Sequence, residues 1–182
     1  MSLLNKLNSR LPKLTQVTPV YALIVMLIYG WTIYWFIWRF PSWSYFLSIN
    51  EILVIGAYSA VVNLFESLIV LCAPFVLALL LPKQWFSERF ISAGSLLSML
   101  IGGYFIYFSS VSEAADSFSY TPLIQAVVFF VIAIGLSILV SRVRIVSNLI
   151  SSFADRAQIF LYLSLPVSAL SVLVVILRNL IK

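Results

Sequence analysis

The stretch from residue 52 to residue 81 reads ILVIGAYSAVVNLFESLIVLCAPFVLALLL, and it decides the fold class of this chain. Its 30 residues contain a single charged side chain, Glu66. As a helix it would be about 45 Å long, whereas the hydrocarbon core of a bilayer is about 30 Å thick. We predict that it crosses a membrane as a helix whose excess length is taken up by tilting, breaking or projecting, and we assign the span to 57–81.

The rest of the chain has the composition of a membrane protein. Of the 182 residues, 63% are hydrophobic and 9% are charged, against about 45–50% and about 25% in soluble globular proteins. Four further apolar runs are long enough to cross a bilayer. The predicted fold is therefore an all-α bundle, a single domain over 1–182 with five transmembrane helices at 17–38, 57–81, 90–110, 122–140 and 157–177.

Three segments outside these spans are predicted to lie at the membrane surface. Apolar residues recur at helical spacing in 2–11 and in 143–156, with polar residues on the other face, which is typical of interfacial amphipathic helices. The segment 39–50 is rich in aromatic residues, which favour the headgroup level. Two alternatives stay open: 2–11 is a disordered basic leader, and the last apolar run lies flat or re-enters, which would leave four spans.

The lysines and arginines predict the orientation. If the N-terminus is cytoplasmic, eight of them fall on the inner side and three on the outer side, and basic residues favour the cytoplasmic side. We expect a multi-pass protein of the cell membrane with a cytoplasmic N-terminus. Compactness and the lack of a transit-like leader favour a bacterial plasma membrane.

Glu66 is the candidate functional residue. An ionised carboxylate at membrane depth is costly, and no predicted span has Lys, Arg or His in its interior. Glu66 must therefore be protonated, be solvated by trapped water, bind a cation or pair with another chain. Other polar residues recur along the same helix, and the candidate intramembrane polar site consists of Glu51, Tyr58, Ser59, Asn63 and Glu66.

This polar site has two interpretations. The residues could line a proton or cation path that runs inward from the outer surface. Alternatively, Glu66 is a protonated acid that hydrogen-bonds to a neighbouring helix.

Small residues at four-residue spacing mark the third span. Gly94, Ser98 and Gly102 would let another helix backbone approach closely, which is what drives packing inside lipid. The fourth span carries Ala133 and Ser137 on one face, a natural complement. We expect these two faces to pack together, and a surface for self-association or for a partner subunit is the alternative.

Several functions are disfavoured by what the chain lacks. It has no histidine and one cysteine, Cys72, and it contains no zinc-protease motif, phosphate-binding loop or dinucleotide-binding loop. We therefore predict no enzyme activity, no metal and no cofactor. The basic residues stand singly at the edges of apolar runs, which argues against nucleic-acid binding.

Two function classes remain. The first is a non-catalytic component of a membrane complex, that is, a subunit, scaffold or assembly component with the lipid bilayer and partner membrane subunits around it. The second is a small transporter or channel, built as a homo-oligomer, with a proton- or cation-linked site at Glu66. A lipid-active enzyme using Glu66 is a weaker option because no second titratable group lies at that depth.

Overall fold

The structure is a computed structural model that describes residues 11–83, 85–112 and 121–181. Of the predicted surface segment 2–11, only Leu11 lies within the described residues. Each of five α-helices is long and apolar enough to cross a membrane, and the described part of the chain contains no strand. The helices are α1 (Leu14–Phe46), α2 (Ile49–Leu80), α3 (Phe90–Ser112), α4 (Thr121–Ser141) and α5 (Arg144–Ile181), and a 3-10 helix (Ser87–Arg89) precedes α3. The five-span, all-α architecture is confirmed.

Helix α1 packs extensively on α2, α3 and α5, and α3 and α5 each contact all four other helices. Helix α4 lies to one side, on α3 and α5. Two apolar clusters hold these contacts. One joins α1, α2, α3 and α4 and includes Val20, Ala78, Leu97 and Ala133; the other joins α1 and α5 and includes Ala22, Leu23, Ala154 and Ala157. The other faces of the helices remain exposed and apolar, as expected where lipid is the solvent.

The segment 39–50, predicted to lie separately at the membrane surface, is part of a helical hairpin. Only Leu47 and Ser48 separate α1 from α2. The Ser48 amide and hydroxyl each donate to Glu51 Oε2 at 2.8 Å, and the Glu51 amide donates to Ser48 Oγ at 3.4 Å. This capping box supplies partners for amides at the start of α2, so the second helix begins at once after the turn.

The surface segment 143–156 and the span 157–177 were predicted as two elements, and this was wrong. They form one helix, α5, of 38 residues, which is about 57 Å long. Ala154 and Ala157 are both buried in the same cluster. Packing against α1 continues across the predicted boundary, and residues 150–160 contain neither Gly nor Pro. The helix therefore does not break at this boundary. The other predicted spans all lie within the observed helices, apart from Leu81, which caps the end of α2.

The hairpin projects beyond the end of α5. Tyr58 Oη donates to Asn179 Oδ1 at 3.3 Å, and the Arg178 guanidinium lies 6.0 Å from the centre of the Tyr58 ring. The C-terminal turn of α5 therefore lies beside Tyr58, close to the predicted start of the second span at 57. Glu51 lies about 10 Å further out along α2.

Hydrogen bonds from Ser48 favour the ionised form of the Glu51 side chain. The hydrogen bond from the Ser48 amide, followed by the one from the Ser48 hydroxyl, holds the pKa of Glu51 below its ordinary value, and the positive charge of Arg178 lowers it further. A carboxylate that accepts hydrogen bonds in its charged form is stabilised in that form. Its role in the structure is to cap α2.

Candidate intramembrane site at Glu66

Glu66 lies in a groove on the side of the bundle, at membrane depth. It lies nine positions along α2 from residue 57, the predicted start of the span, which is about 14 Å into a core about 30 Å thick. The groove is formed by α1, α2 and α3 and has a volume of about 370 Å³. Its lining includes Ile24, Leu27, Trp31, Thr32, Glu66, Ile69, Ser98, Gly102 and Phe105. We call it the lateral groove.

The lateral groove opens toward the surrounding lipid. Ile69 on α2 is 70% exposed and Phe105 on α3 is 59% exposed, and both line the groove. The Glu66 side chain is itself exposed at the surface of the protein. Because all three residues belong to segments that cross the membrane, what surrounds them is lipid or another membrane protein rather than bulk water.

No positive charge compensates Glu66 within the described chain. The spans contain no Lys, Arg or His. The groove also offers no second titratable side chain among the residues that line it. Its two hydroxyl groups are engaged elsewhere: Thr32 Oγ1 donates to Asn63 Oδ1 at 2.9 Å, and Ser98 Oγ donates to the Gly94 carbonyl at 2.8 Å.

The other predicted site residues on α2 do not line the lateral groove. Tyr58, Ser59 and Asn63 line a separate cavity of about 400 Å³, together with Arg178. Glu51 caps the helix at the hairpin turn. The polar residues of α2 are thus divided among the groove, this outer cavity and the hairpin turn.

A hydrogen bond lies between the two cavities. Thr32 lines the lateral groove and Asn63 lines the outer cavity, and the hydroxyl of the first donates to the side-chain oxygen of the second. Asn63 is buried. This contact fixes α1 against α2 one helical turn from Glu66 and so holds one wall of the groove.

A polar cluster at the centre of the bundle was not predicted. Tyr29 Oη lies 2.5 Å from Ser168 Oγ on α5 and donates to the Ala60 carbonyl on α2 at 3.2 Å. Nearby, Tyr21 Oη lies 3.2 Å from Ser67 Oγ. The available sequence signal was the position of Tyr29 in the middle of the predicted span 17–38, whereas tyrosine is usually found near the ends of a span.

The small residues of α3 pack mainly on α1. A Cβ built on Gly94 would lie 3.4 Å from Val20 and 3.5 Å from Pro74, and one built on Gly102 would lie 3.3 Å from Leu27. This face therefore contacts α1, with α2 beside Gly94, and the expected pairing with α4 was wrong.

The fourth helix uses its small residues against a different face of α3. Ala133 belongs to the buried cluster that includes Ala93 and Leu97, and Ser137 is fully buried. At the adjoining helix ends, Arg89 Nη1 donates to the Ser141 carbonyl at 2.9 Å. α3 thus offers one face to α1 and an adjacent face to α4.

Comparison with known protein families, curated proteins and solved structures finds no match. The chemistry of the site therefore has to be argued from its own residues. A lone carboxyl group in an apolar groove can hold a proton, attract a cation or accept hydrogen bonds from a partner. Among the described residues, no three His, Cys, Asp or Glu side chains come together as metal ligands would.

Proposed function

We propose that this protein is a non-catalytic component of a membrane complex, with the lateral groove as the place where a partner subunit docks. One observation carries the proposal: Glu66 stands at membrane depth in a groove that opens sideways, and no described side chain of the chain is bonded to it. An acidic side chain at the centre of a membrane helix costs about 2.5–3.5 kcal/mol to insert. A partner that covers the groove and places a cation or a hydrogen-bond donor beside Glu66 would offset much of this unfavourable free energy.

The setting of the groove supports this proposal. Most hydroxyl groups inside the described bundle bond to another helix or to a backbone carbonyl of their own helix, with Ser95 Oγ as an exception. In the groove, by contrast, a carboxyl group faces outward within a span. Polar residues within spans usually face the interior of a bundle, and a partner helix would make the groove an interior.

The remaining parts of the proposal concern placement. We infer from the distribution of Lys and Arg that the N-terminus is cytoplasmic, which places the hairpin on the outer side. We propose separately that the membrane is a bacterial plasma membrane. The partner would then contact the chain within the bilayer, because the lateral groove lies between the two membrane surfaces.

Photocrosslinking in native membranes tests the docking of a partner. The photoreactive residue p-benzoylphenylalanine replaces Ile69, on the rim of the groove. The control carries it at Leu163, which is 63% exposed on α5 and does not line the groove. We expect a discrete adduct with one other protein from position 69, and none from position 163. The same adducts from both positions, or none from either, would contradict the proposal.

A small transporter or channel is the second candidate. The observation that favours it is the pair of cavities on either side of the Thr32–Asn63 hydrogen bond, one of which contains Glu66. Proton and sodium flux into proteoliposomes containing the purified protein tests this function. Transport requires a flux above that of empty liposomes that is lost in Glu66→Gln, and a flux unaffected by that variant argues against it.

A further inference from the structure

The residues that line the lateral groove include no cation to neutralise the carboxylate of Glu66. Thr32 and Ser98 are the residues with side-chain hydroxyls in the lining, and each donates its proton to another acceptor, Asn63 Oδ1 or the Gly94 carbonyl. The other lining residues are apolar except Trp31, whose indole N–H is a donor but carries no charge. A group that neutralises Glu66 must therefore enter the groove from outside the chain.

The shape of the groove matches a helix. On α1 its lining runs from Ile24 to Thr32, and on α3 from Ser98 to Ile106, so each wall extends for about 12 Å along the bundle axis, or more than two helical turns. Ser98 is buried and Gly102 packs against Leu27, so the part of the α3 wall that a partner helix would contact is formed by Phe105 and Ile106.

We propose that the occupant of the lateral groove is a transmembrane helix of a partner protein that carries a lysine or an arginine near the middle of the bilayer. The inference rests on the proposed function and specifies the partner's chemistry. The carboxylate of Glu66 is the complement of that cation, and Ile69 and Phe105 pack beside its aliphatic stem.

Charge also decides between a partner and a second copy of this chain. No span of this protein contains Lys or Arg, so a second copy cannot place a cation beside Glu66 at this depth. Two copies joined through this groove would instead bring acids together. The partner is therefore a different protein.

The fixed position of Glu66 in the groove also determines where along the partner helix the basic residue must lie. The contact between Thr32 and Asn63 fixes α1 against α2 one turn from Glu66, so the carboxylate lies at a defined height in the groove. A Lys or Arg side chain reaches about 6 Å from its own helix, so the basic residue of the partner lies within about one turn of the height of Glu66.

A designed peptide provides the probe. The purified full-length protein in lipid nanodiscs is titrated with a 21-residue Leu/Ala transmembrane peptide that has one central lysine, and binding is measured by energy transfer to a fluorophore on the peptide. The reference is the same peptide with a central leucine. We expect the wild-type protein to bind the lysine peptide about tenfold more tightly.

Three variants assign this preference to Glu66. In Glu66→Gln the preference should disappear, and in Glu66→Asp, which keeps the charge, most of it should remain. The double variant Glu66→Gln/Val131→Glu places a carboxylate on the 66% exposed surface of α4 and tests whether any acid at membrane depth suffices. It should not recover the preference, because α4 does not line the groove.

Each outcome decides the inference. Equal binding of the two peptides to the wild-type protein overturns it, as does an equal preference in Glu66→Gln. Saturable binding of tetraphenylphosphonium that requires Glu66, with no preference for the lysine peptide, also overturns it and favours transport of a lipophilic cation. The docking of a partner is judged separately: if the peptides fail but Ile69 still gives its adduct in native membranes, the proposed function stands and only the partner's chemistry is wrong.

Discussion

Replacing Tyr29 by phenylalanine removes the hydroxyl that connects α1 with α5 and α2. Three contacts meet there: Tyr29 Oη with Ser168 Oγ at 2.5 Å, Tyr29 Oη with the Ala60 carbonyl at 3.2 Å, and Ser168 Oγ with the Ser164 carbonyl at 2.6 Å. Two hydroxyl protons serve these three contacts, so two hydrogen bonds form at a time. Two oxygens only 2.5 Å apart need a proton between them, so one of these two hydrogen bonds joins Tyr29 to Ser168.

The size of the expected loss follows from this proton count. In Tyr29→Phe the hydroxyl of Ser168 still donates to the Ser164 carbonyl, and the Ala60 carbonyl keeps its place in the α2 helix, so no buried group is left without a bond. The variant should therefore lose about one interhelical hydrogen bond. Such bonds contribute about 0.6 kcal/mol on average inside membranes and about 1.7 kcal/mol at most. We expect the free energy of unfolding to fall by about 1 kcal/mol.

A double-mutant cycle measures this contact. Steric trapping in bicelles gives the unfolding free energies of the wild type, Tyr29→Phe, Ser168→Ala and the double variant, and we expect a coupling of about 0.6–1.7 kcal/mol. The control Tyr162→Phe removes a hydroxyl from a tyrosine on α5 that is 70% exposed, and it should change stability little. A coupling indistinguishable from zero, or an equal loss in the control, would refute the reasoning.

Three further predictions concern packing, pH and orientation. Gly94→Leu should lower the unfolding free energy by about 1–3 kcal/mol because its side chain would press on α1 and α2, whereas Gly135→Leu, with nothing within 4 Å of the new Cβ, should have little effect in the same assay. The lowered pKa of Glu51 means that its capping contribution is complete above the pKa of the unfolded chain and is lost as the pH falls through the folded value. The protection factors of amides at the start of α2, which correct exchange for its intrinsic pH dependence, should therefore fall on acidification in the wild type and change little in Glu51→Gln. In intact cells a membrane-impermeant maleimide should label Ser44→Cys, and it should reach Ser152→Cys only after permeabilisation; the reverse pattern would invert the proposed orientation.

The helices were predictable because length and apolarity suffice to identify them. In 90–110 and 122–140 a bounded apolar run has the length of the bilayer core, so the observed α3 and α4 extend these limits by only one or two residues. The boundary near 157 was predicted wrongly because it was placed where polar residues give way to apolar ones. Whether a helix continues through such a change depends on packing, and the buried Ala154 lies on the polar side of it.

The pairing of helix faces was harder to predict for a physical reason. In water one apolar stripe marks the buried side of a helix, but in lipid the outward faces are apolar as well. The small residues of α3 correctly predicted that another helix packs closely on this face. They did not predict that this helix is α1. Tyr29 and Ser168 lie 139 positions apart in the chain, and their meeting depends on how α1 and α5 cross.

Glu66 differs from the other polar groups at its depth in a way that bears on function. Among the described residues, Ser95 Oγ is the one buried side-chain oxygen or nitrogen without a hydrogen-bond partner, so the interior of the bundle satisfies its polar groups almost completely. A bundle that pairs Tyr29, Asn63 and Ser168 across helices is not loosely assembled. The exposure of Glu66 therefore reflects the position of the residue on α2, which faces away from this interior into the lateral groove. A fold that leaves one carboxyl group facing outward at membrane depth supports the proposed role of a subunit whose last helix–helix contact is made by another chain.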